Sequence, residues 1–362
     1  MICCEKCFRD SEIKGIIRSL NNIGHCEVCN GKDVYIYDTE SNDNLVDSFN
    51  ELLGIYTPVT SLPREFPREK LSLLKDVLYD KWNIFNIDSE KIYTVTKNIC
   101  SEKYEESPEL FDFPIGILEI SDENYLKSNS ILKTHEWEDF VDEIKTKNRF
   151  HTKYINTEVL EKLCSYIERP LSKGRRLYRA RISEESGFPS DKMGAPPPGK
   201  ASAGRVNPLG INYLYLADDR VTTLNEVRAG AYDYVTIGEF ILKEDITIID
   251  FTLLEQISPF TGDALQLAIN MDHLKKISNE IAKPLRRSDG SLDYLPTQYI
   301  ADFIKSVKYD DGKSYEGIKY KSTLYEEGYN IAVFDERLFE CVEVCVYDVK
   351  GIEYRYNSVG ER

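Results

Sequence analysis

The chain has 362 residues, 41% of them hydrophobic and 11% aromatic, which is enough for two or three globular domains with a sizeable core. Its net charge of −16 opposes the phosphates of nucleic acids and of anionic membranes, so we expect neither as a partner. No apolar run reaches the roughly 18 residues that cross a bilayer. The opening residues, MICCEKCFRD, lack the apolar core of a signal peptide, and we therefore expect a cytoplasmic protein.

Residues 1–35 are predicted to form a zinc-knuckle segment. They contain two C-x2-C motifs separated by 18 residues, a pattern that favours metal binding over disulfides in a reducing compartment. Four thiolates complete the tetrahedral shell of a structural zinc ion, and the predicted ligands are Cys4, Cys7, Cys26 and Cys29. Cys3 and His25 flank the motifs and are alternative ligands, and a set of free thiols is the other interpretation.

Residues 36–168 are predicted to form a helical N-terminal domain. Apolar residues recur there at helical spacing in three stripes, which indicate buried helix faces rather than ligand sites: Leu71, Leu74, Leu78 and Trp82; Trp137, Phe140, Val141 and Ile144; Leu160, Leu163, Cys164 and Ile167. We find no catalytic constellation in this region. The four cysteines outside the zinc-knuckle segment lie in apolar patterns and are predicted to be buried: Cys100, Cys164, Cys341 and Cys345.

Residues 169–362 are predicted to form a mixed α/β domain, so the fold class of the chain is α+β. Short β-branched and aromatic runs predict strands at 176–182, 213–217, 235–242, 246–251, 331–334 and 341–347. Helical patterns intervene at 222–231, 262–281 and 295–307.

The stretch MGAPPPGKASAGRVNPLG resembles the spacing of a phosphate-binding P-loop but lacks its chemistry. A P-loop surrounds phosphate with backbone N–H groups, and Pro196, Pro197 and Pro198 carry none. Ala201 stands where the magnesium-binding hydroxyl of such a loop is expected. The sequence therefore argues against an ATP site at Lys200.

Positive charge is concentrated around this stretch. Residues 174–210 contain seven basic and three acidic residues, a net of +4 within an acidic chain. Most of the basic residues are arginines, whose planar guanidinium groups suit bidentate contact with phosphate oxygens. The alternative is that these arginines pair with the surplus carboxylates of the chain.

The predicted α/β domain, residues 169–362, contains an ordered series of motifs. These motifs are LYRAR (177–181), AGRVNPLG (203–210), YLYLA (213–217), TTLNEV (222–227), YLPTQ (294–298), GIKYKS (317–322) and GYNIAVFD (328–335). The series resembles the RES domain, a family named for an arginine, a glutamate and a serine, and it spans residues 170–350. The N-terminal part of the chain is similar to the HEPN/RES-type region that precedes some longer members.

The resemblance implies a fold similar to that of ADP-ribosyltransferases and an enzyme that destroys NAD+, as an NAD+ glycohydrolase or an NAD+ phosphorylase. Many members are toxins of toxin–antitoxin pairs, which implies a toxin or defence effector and an antitoxin or regulatory protein that contacts the RES domain. The alternatives are an ADP-ribosyltransferase acting on a macromolecule and a non-catalytic module that binds NAD or ADP-ribose. Whether the acceptor is water or phosphate stays open.

Matching motif to motif assigns the site residues that the resemblance implies. The catalytic set is Arg179, Glu226 and Ser322, although the family serine can also correspond to Thr297. The predicted NAD+-binding residues are Arg181, Lys200, Arg205, Tyr215, Thr297 and Gln298.

The chemistry is consistent with these residue types. Nicotinamide leaves NAD+ as a neutral molecule, so no general acid is needed, and a carboxylate can stabilise the cationic ribose. Each assignment has a structural alternative: Glu226 can complete a capping box with Thr223, and Tyr215 can simply face one side of a strand. Ser322 can be a structural serine, and Arg181 can be a surface residue.

Overall fold

A computed structural model describes residues 1–283, 290–309 and 312–353. Within these ranges the chain forms two compact units, and neither unit is a single stretch of sequence. The first unit comprises residues 1–136, 154–159 and 253–273, and the second comprises residues 137–153, 160–252 and the described residues from 274 to 353. No helix in the described part of the chain is long and apolar enough to cross a membrane.

The first unit is mostly helical and carries short strands. Its strands are β1 (Ile2–Cys4), β2 (Ile23–Gly24), β3 (Val34–Asp38), β4 (Thr57–Pro58) and β5 (Ile115–Gly116). Its helices are α1 (Ser11–Ser19), α2 (Val46–Gly54), α3 (Leu74–Asp76), α4 (Ser89–Ile99), α5 (Ser101–Glu106), α6 (Glu109–Asp112) and α7 (Glu123–Asn129). Strand β3 pairs antiparallel with both β1 and β2, which brings the two cysteine motifs of the N-terminus to one small sheet.

Most residues of the predicted helical stripes are core residues, but Leu71 precedes α3 and is only half-buried. Leu74, Leu78 and Trp82 are almost fully buried, and the Trp82 indole donates a hydrogen bond to the Tyr56 hydroxyl at 2.7 Å. The helix is irregular. The α-helical part, α3, ends at Asp76, and a π-helical segment, Val77–Lys81, continues it as far as Trp82. The other two stripes are also buried, apart from Val141, which is half-buried.

The second unit contains the remaining elements. Its strands are β6 (Glu168–Leu171), β7 (Arg176–Ser183), β8 (Leu214–Ala217), β9 (Tyr234–Leu242), β10 (Ile246–Asp250), β11 (Gly317–Lys321), β12 (Tyr329–Val333) and β13 (Phe339–Asp348). Its helices include α8 (Trp137–Asp142), α10 (Arg220–Glu226) and α12 (Leu295–Ser306). Helices α9 (Thr157–Cys164) and α11 (Ala264–Ala282) contribute residues to both units.

These eight strands form one large mixed sheet across the described residues. Their order is β13-β9-β7-β8-β12-β11-β10-β6, and β10 with β11 is the parallel pair. Alternate residues of the central strands point to one face and form an apolar core that includes Leu177, Leu216, Phe240 and Ile331. The opposite face of β7, β8, β12 and β11 is therefore available for polar side chains.

All six predicted strands and all three predicted helices of this region are confirmed, with shifts of a few residues at their ends. Strands β6 and β11 were not predicted. The expectation that all four later cysteines are buried is wrong for Cys345, which is exposed, and only partly right for Cys341. Both lie on β13, which is an edge strand with a bulge between Cys341 and Glu343, so that the two thiols reach the surface.

One buried charge cluster joins three strands at the β6 end of the sheet. The Asp250 carboxylate is fully buried and accepts hydrogen bonds from Lys319 Nζ at 2.9 Å and Arg169 Nη1 at 3.1 Å. Lys319 is itself 7% exposed. A buried pair of this kind adds little net stability, but removing one partner leaves the other charge buried and uncompensated.

We expect Asp250→Asn to lower the free energy of unfolding of the second unit by about 3 kcal/mol, because Lys319 loses its carboxylate in a buried setting. Chemical denaturation measures this difference. The matched control is Asp348→Asn, which breaks a surface pair with Lys350 and should cost less than about 1 kcal/mol. Equal effects of the two substitutions would contradict the role of burial.

Candidate active site

A cavity of about 310 Å³ lies within the second unit. Its floor is a row of residues that are neighbours across four strands, Tyr178 on β7, Ala217 on β8, Asn330 on β12 and Tyr320 on β11. The other residues that line it are Arg179, Ala180, Ala203, Gly204, Arg205, Tyr215, Leu216, Thr223, Glu226, Val227 and Tyr294. The predicted Arg179, Arg205, Tyr215 and Glu226 are thus brought together, although they are distant in sequence.

Glu226 is the acidic residue of the lining. Its Oε2 atom accepts a hydrogen bond from Arg205 Nη2 at 2.8 Å. Its Oε1 atom accepts from Ser322 Oγ at 2.7 Å and from Asn330 Nδ2 at 2.7 Å. Three donors therefore hold this carboxylate, whose side chain is 18% exposed, in one orientation at the cavity wall.

The capping-box interpretation of Glu226 is wrong. Helix α10 begins at Arg220, and its N-cap is Asp219, whose carboxylate accepts from the backbone N–H groups of Val221 and Thr222. Glu226 is the last residue of α10, so it lies at the opposite end of the helix from the groups that a cap would satisfy.

Arg205 lies between Glu226 and the ring of Tyr320. Burial lowers the pKa of Arg205, but Tyr320 and Glu226 outweigh burial and raise it above its ordinary value. The guanidinium carbon is 5.8 Å from the Tyr320 ring centroid, and burial raises the pKa of that tyrosine to about 12. Arg205 Nη1 is buried and has no hydrogen-bond partner, so it keeps a free donor.

Arg179 is the second cation of the lining. Its Nη1 atom donates to the Tyr215 carbonyl at 3.4 Å, whereas its Nε atom is buried without a partner. Burial and the nearby Arg181 lower the pKa of Arg179 to about 10, so it is still a cation at neutral pH. Two partly buried guanidinium groups line this cavity, and each has one N–H group without a hydrogen-bond partner, so the cavity is suited to an anion.

The loop before β8 is held by the amide of Asn207. Asn207 Nδ2 donates to the carbonyls of Ser202 and Ile211, both at 2.9 Å, and Asn207 Oδ1 accepts from the Tyr215 hydroxyl at 2.7 Å. Tyr215 therefore supports the loop through its hydroxyl, and burial raises its pKa. Gly204 has no room for a side chain, since an added Cβ would lie 2.2 Å from Asn207 Oδ1.

Thr297 and Gln298 hold the same loop from helix α12. Thr297 Oγ1 donates to the Arg205 carbonyl at 2.5 Å, and Gln298 Nε2 donates to the Gly204 carbonyl at 2.9 Å. Neither side chain lines the cavity. Both side chains contact the loop that carries Arg205. Their contact with NAD+ stays a prediction.

Two predicted binding residues lie outside the cavity lining. The Arg181 guanidinium donates to the Lys192 carbonyl and stacks over the Phe188 ring, 4.2 Å from its centroid. Lys200 is exposed. The Gly199 and Lys200 N–H groups donate to the carbonyls of Gly210 and Pro197, which leaves them unable to bind a phosphate in P-loop fashion. The roles of Arg181 and Lys200 in binding stay predictions.

Sequence reasoning gave no role to several residues of the site. Tyr178, Tyr294, Tyr320 and Asn330 line the cavity, and Asn207 anchors its loop. Asn330 carried a usable signal, because asparagine is disfavoured in strands and this one interrupts the apolar run YNIAV. A buried amide in the middle of a strand requires a polar partner, which here is Glu226.

Residues 176–357 match the model of the RES domain family. The chain belongs to the RES domain family. The matched residues include the whole cavity lining, and this family is associated with NAD-related toxin systems. No curated protein matches the chain, and no solved structure matches it.

A second candidate site lies in the first unit. The Sγ atoms of the four predicted ligands, Cys4, Cys7, Cys26 and Cys29, all lie within 4.8 Å of one another. Three of their separations are 3.5, 3.6 and 3.8 Å, close to the edge of about 3.8 Å expected for four sulfurs at roughly 2.3 Å from a central ion. Cys3 and His25 are not part of this group, so the four thiols can hold a metal ion without them.

We expect Gly204→Ala to disturb the cavity, because the new methyl group would displace the Asn207 amide and the Tyr215 hydroxyl, 2.8 Å away. Overpacking of this kind costs about 1–3 kcal/mol, which thermal denaturation of the full chain would detect. The control is Gly351→Ala, where an added Cβ meets nothing within 4 Å. A fully stable Gly204→Ala protein would contradict the close packing of this loop.

Proposed function

We propose that this RES domain protein degrades NAD+ by cleaving the bond between nicotinamide and ribose, by hydrolysis or phosphorolysis. The observation that carries the proposal is the Glu226 carboxylate, held by Arg205, Ser322 and Asn330 at the wall of a cavity that also contains Arg179. The arginines can stabilise the negative charge of the pyrophosphate, and Glu226 can stabilise positive charge on the ribose. A dinucleotide that is cleaved at its sugar requires both kinds of group in one cavity.

The proposed reaction needs charge stabilisation more than proton transfer. The nicotinamide ring is cationic in NAD+ and leaves as a neutral molecule, while positive charge develops on the ribose. Glu226 stabilises that charge from a largely buried position, where electrostatic interactions are stronger than in bulk water. The guanidinium groups of Arg179 and Arg205, which line the cavity, bind the pyrophosphate and fix the position of the ribose.

The proposal extends to the fold and to the biological role. A fold similar to that of ADP-ribosyltransferases is proposed for the second unit, whose polar cavity floor crosses four strands of the mixed sheet. The role proposed for the protein is that of a toxin or defence effector restrained by an antitoxin or regulatory protein. The HEPN/RES-type character of the N-terminal region and the division into three domains at 1–35, 36–168 and 169–362 also remain proposals.

We expect the full chain to release nicotinamide from NAD+ with no macromolecular acceptor present. Glu226→Gln should lower kcat by about 100-fold or more and change NAD+ affinity little, because the carboxylate acts mainly on charge in the transition state. Chromatographic assay of nicotinamide and isothermal titration of NAD+ measure the two quantities. Running the assay with and without phosphate separates phosphorolysis from hydrolysis.

The matched control is Glu185→Gln, which removes an exposed carboxylate of the same domain and should leave turnover unchanged. Binding of NAD+ without release of nicotinamide would favour the non-catalytic module. Release only in the presence of a protein or nucleic acid would favour an ADP-ribosyltransferase. Turnover by Glu226→Gln at the parent rate would refute the role of this glutamate.

We propose that the four-cysteine site of the first unit holds a structural zinc ion. Its four thiolates would fill the tetrahedral shell of the ion and leave no position for a substrate or water, so we assign it no part in the reaction. Its ligands come from β1, the turn after it and the 26–29 turn, and the ion would join these segments into one unit.

We expect the purified protein to contain one zinc ion per chain by elemental analysis. Cys7→Ser should remove the metal and lower the melting temperature of the first unit by roughly 10 °C, since metal affinity is coupled to folding. Cys345→Ser, at an exposed thiol outside the site, is the control and should retain both metal and stability. Full stability of the metal-free Cys7→Ser chain would contradict a structural ion.

A further inference from the structure

The two oxygens of the Glu226 carboxylate are not equivalent. A carboxylate oxygen accepts about two strong hydrogen bonds. Oε1 already has two donors, Ser322 Oγ and Asn330 Nδ2, both at 2.7 Å. Oε2 has one, Arg205 Nη2 at 2.8 Å. Oε2 is therefore the oxygen that keeps a free lone pair.

The hydroxyl of Ser322 is already committed to this arrangement. Its oxygen accepts from the backbone N–H groups of Leu324 at 3.3 Å and Tyr325 at 3.2 Å, which close the turn after β11. Its proton is then directed to Glu226 Oε1. With both its lone pairs and its proton engaged, Ser322 acts through Glu226 rather than on a substrate directly.

The sheet places Asn330 where its amide can also hold the Glu226 carboxylate. Asn330 is 5% exposed and pairs with Ala217 on β8 and Tyr320 on β11, so the register of three strands fixes its position. Its amide donates to Glu226 and carries no charge. The amide can therefore orient the carboxylate without adding a second positive charge beside Arg205.

We propose that Asn330 is a positioning residue for Glu226, which together with Ser322 anchors Oε1 and presents Oε2 to the ribose of the substrate. This inference rests on the proposed NAD+ cleavage. It adds that a neutral amide sets the direction of the reactive carboxylate oxygen and that the serine supports this role.

The test uses the isosteric substitution Asn330→Asp in the full chain. It places a second carboxylate where a donor stood, and two carboxylates in contact share a proton until the pH is high enough to remove it. The other charged or titratable groups that face Glu226 are Arg205 and Tyr320, with Tyr178, Arg179, Tyr215 and Tyr294 elsewhere in the lining. All of them are retained in this variant.

Since the reaction needs Glu226 ionised, we expect the acid limb of the kcat profile to move up by about 1 pH unit or more in Asn330→Asp, with activity returning as the pH rises. Asn330→Ala should lower kcat about 10-fold and change KM less than about 2-fold. Asn225→Asp adds the same charge next to Glu226 on α10 but outside the cavity lining, and should move the acid limb by less than about 0.3 unit.

A loss of activity in Asn330→Asp that does not depend on pH, or an unchanged profile, would overturn the inference. Carbon-13 NMR of glutamate-labelled protein supplies a readout that needs no turnover, with Glu226→Gln used to assign the signal. If the parent releases no nicotinamide, the proposed function fails, and the NMR titration then tests only the structural part of the inference, that Asn330 holds the Glu226 carboxylate. A Glu226 signal that titrates at higher pH in Asn330→Asp supports it, and an unchanged midpoint refutes it.

Discussion

The ion pair of Arg205 and Glu226 connects the parts of the molecule that form the cavity. Arg205 lies in the loop before β8, and Glu226 ends the helix that follows β8. Burying these two charges costs desolvation energy, which the pair alone does not offset. The donors of Ser322 and Asn330 add charge-assisted hydrogen bonds and make a partly buried carboxylate tolerable at this position.

The register of the central strands places the other cavity residues beside this ion pair. Tyr178, Ala217, Asn330 and Tyr320 are direct neighbours across four strands, so a single row of the sheet supplies aromatic rings and an amide to one floor. A slip of one residue in β12 would turn Asn330 into the apolar core and leave Glu226 Oε1 without its amide donor. The hydrophobic residues of the opposite face, such as Ile331, fix the register and thereby the polar face.

Sequence patterns predicted the elements of the second unit better than they predicted the contacts between them. Strand β11, GIKYK, was missed because its lysines suggest a surface, whereas Lys319 is buried beside Asp250. Strand β6 was missed because it contains Pro170, which is tolerated on an edge strand. The family motifs pointed to Glu226 and Arg205, which both line the cavity, but the proposed role of Asn330 depends on a partner 104 positions away in the chain.

The distribution of tryptophan has a practical consequence. The chain contains two, and both are buried, Trp82 at 5% exposure in the first unit and Trp137 at 6% in the second. Replacing either one by phenylalanine leaves a single tryptophan, which can be excited selectively over the 24 tyrosines and reports on one unit. The order in which the two units melt can therefore be recorded optically, without cutting the chain or attaching a dye.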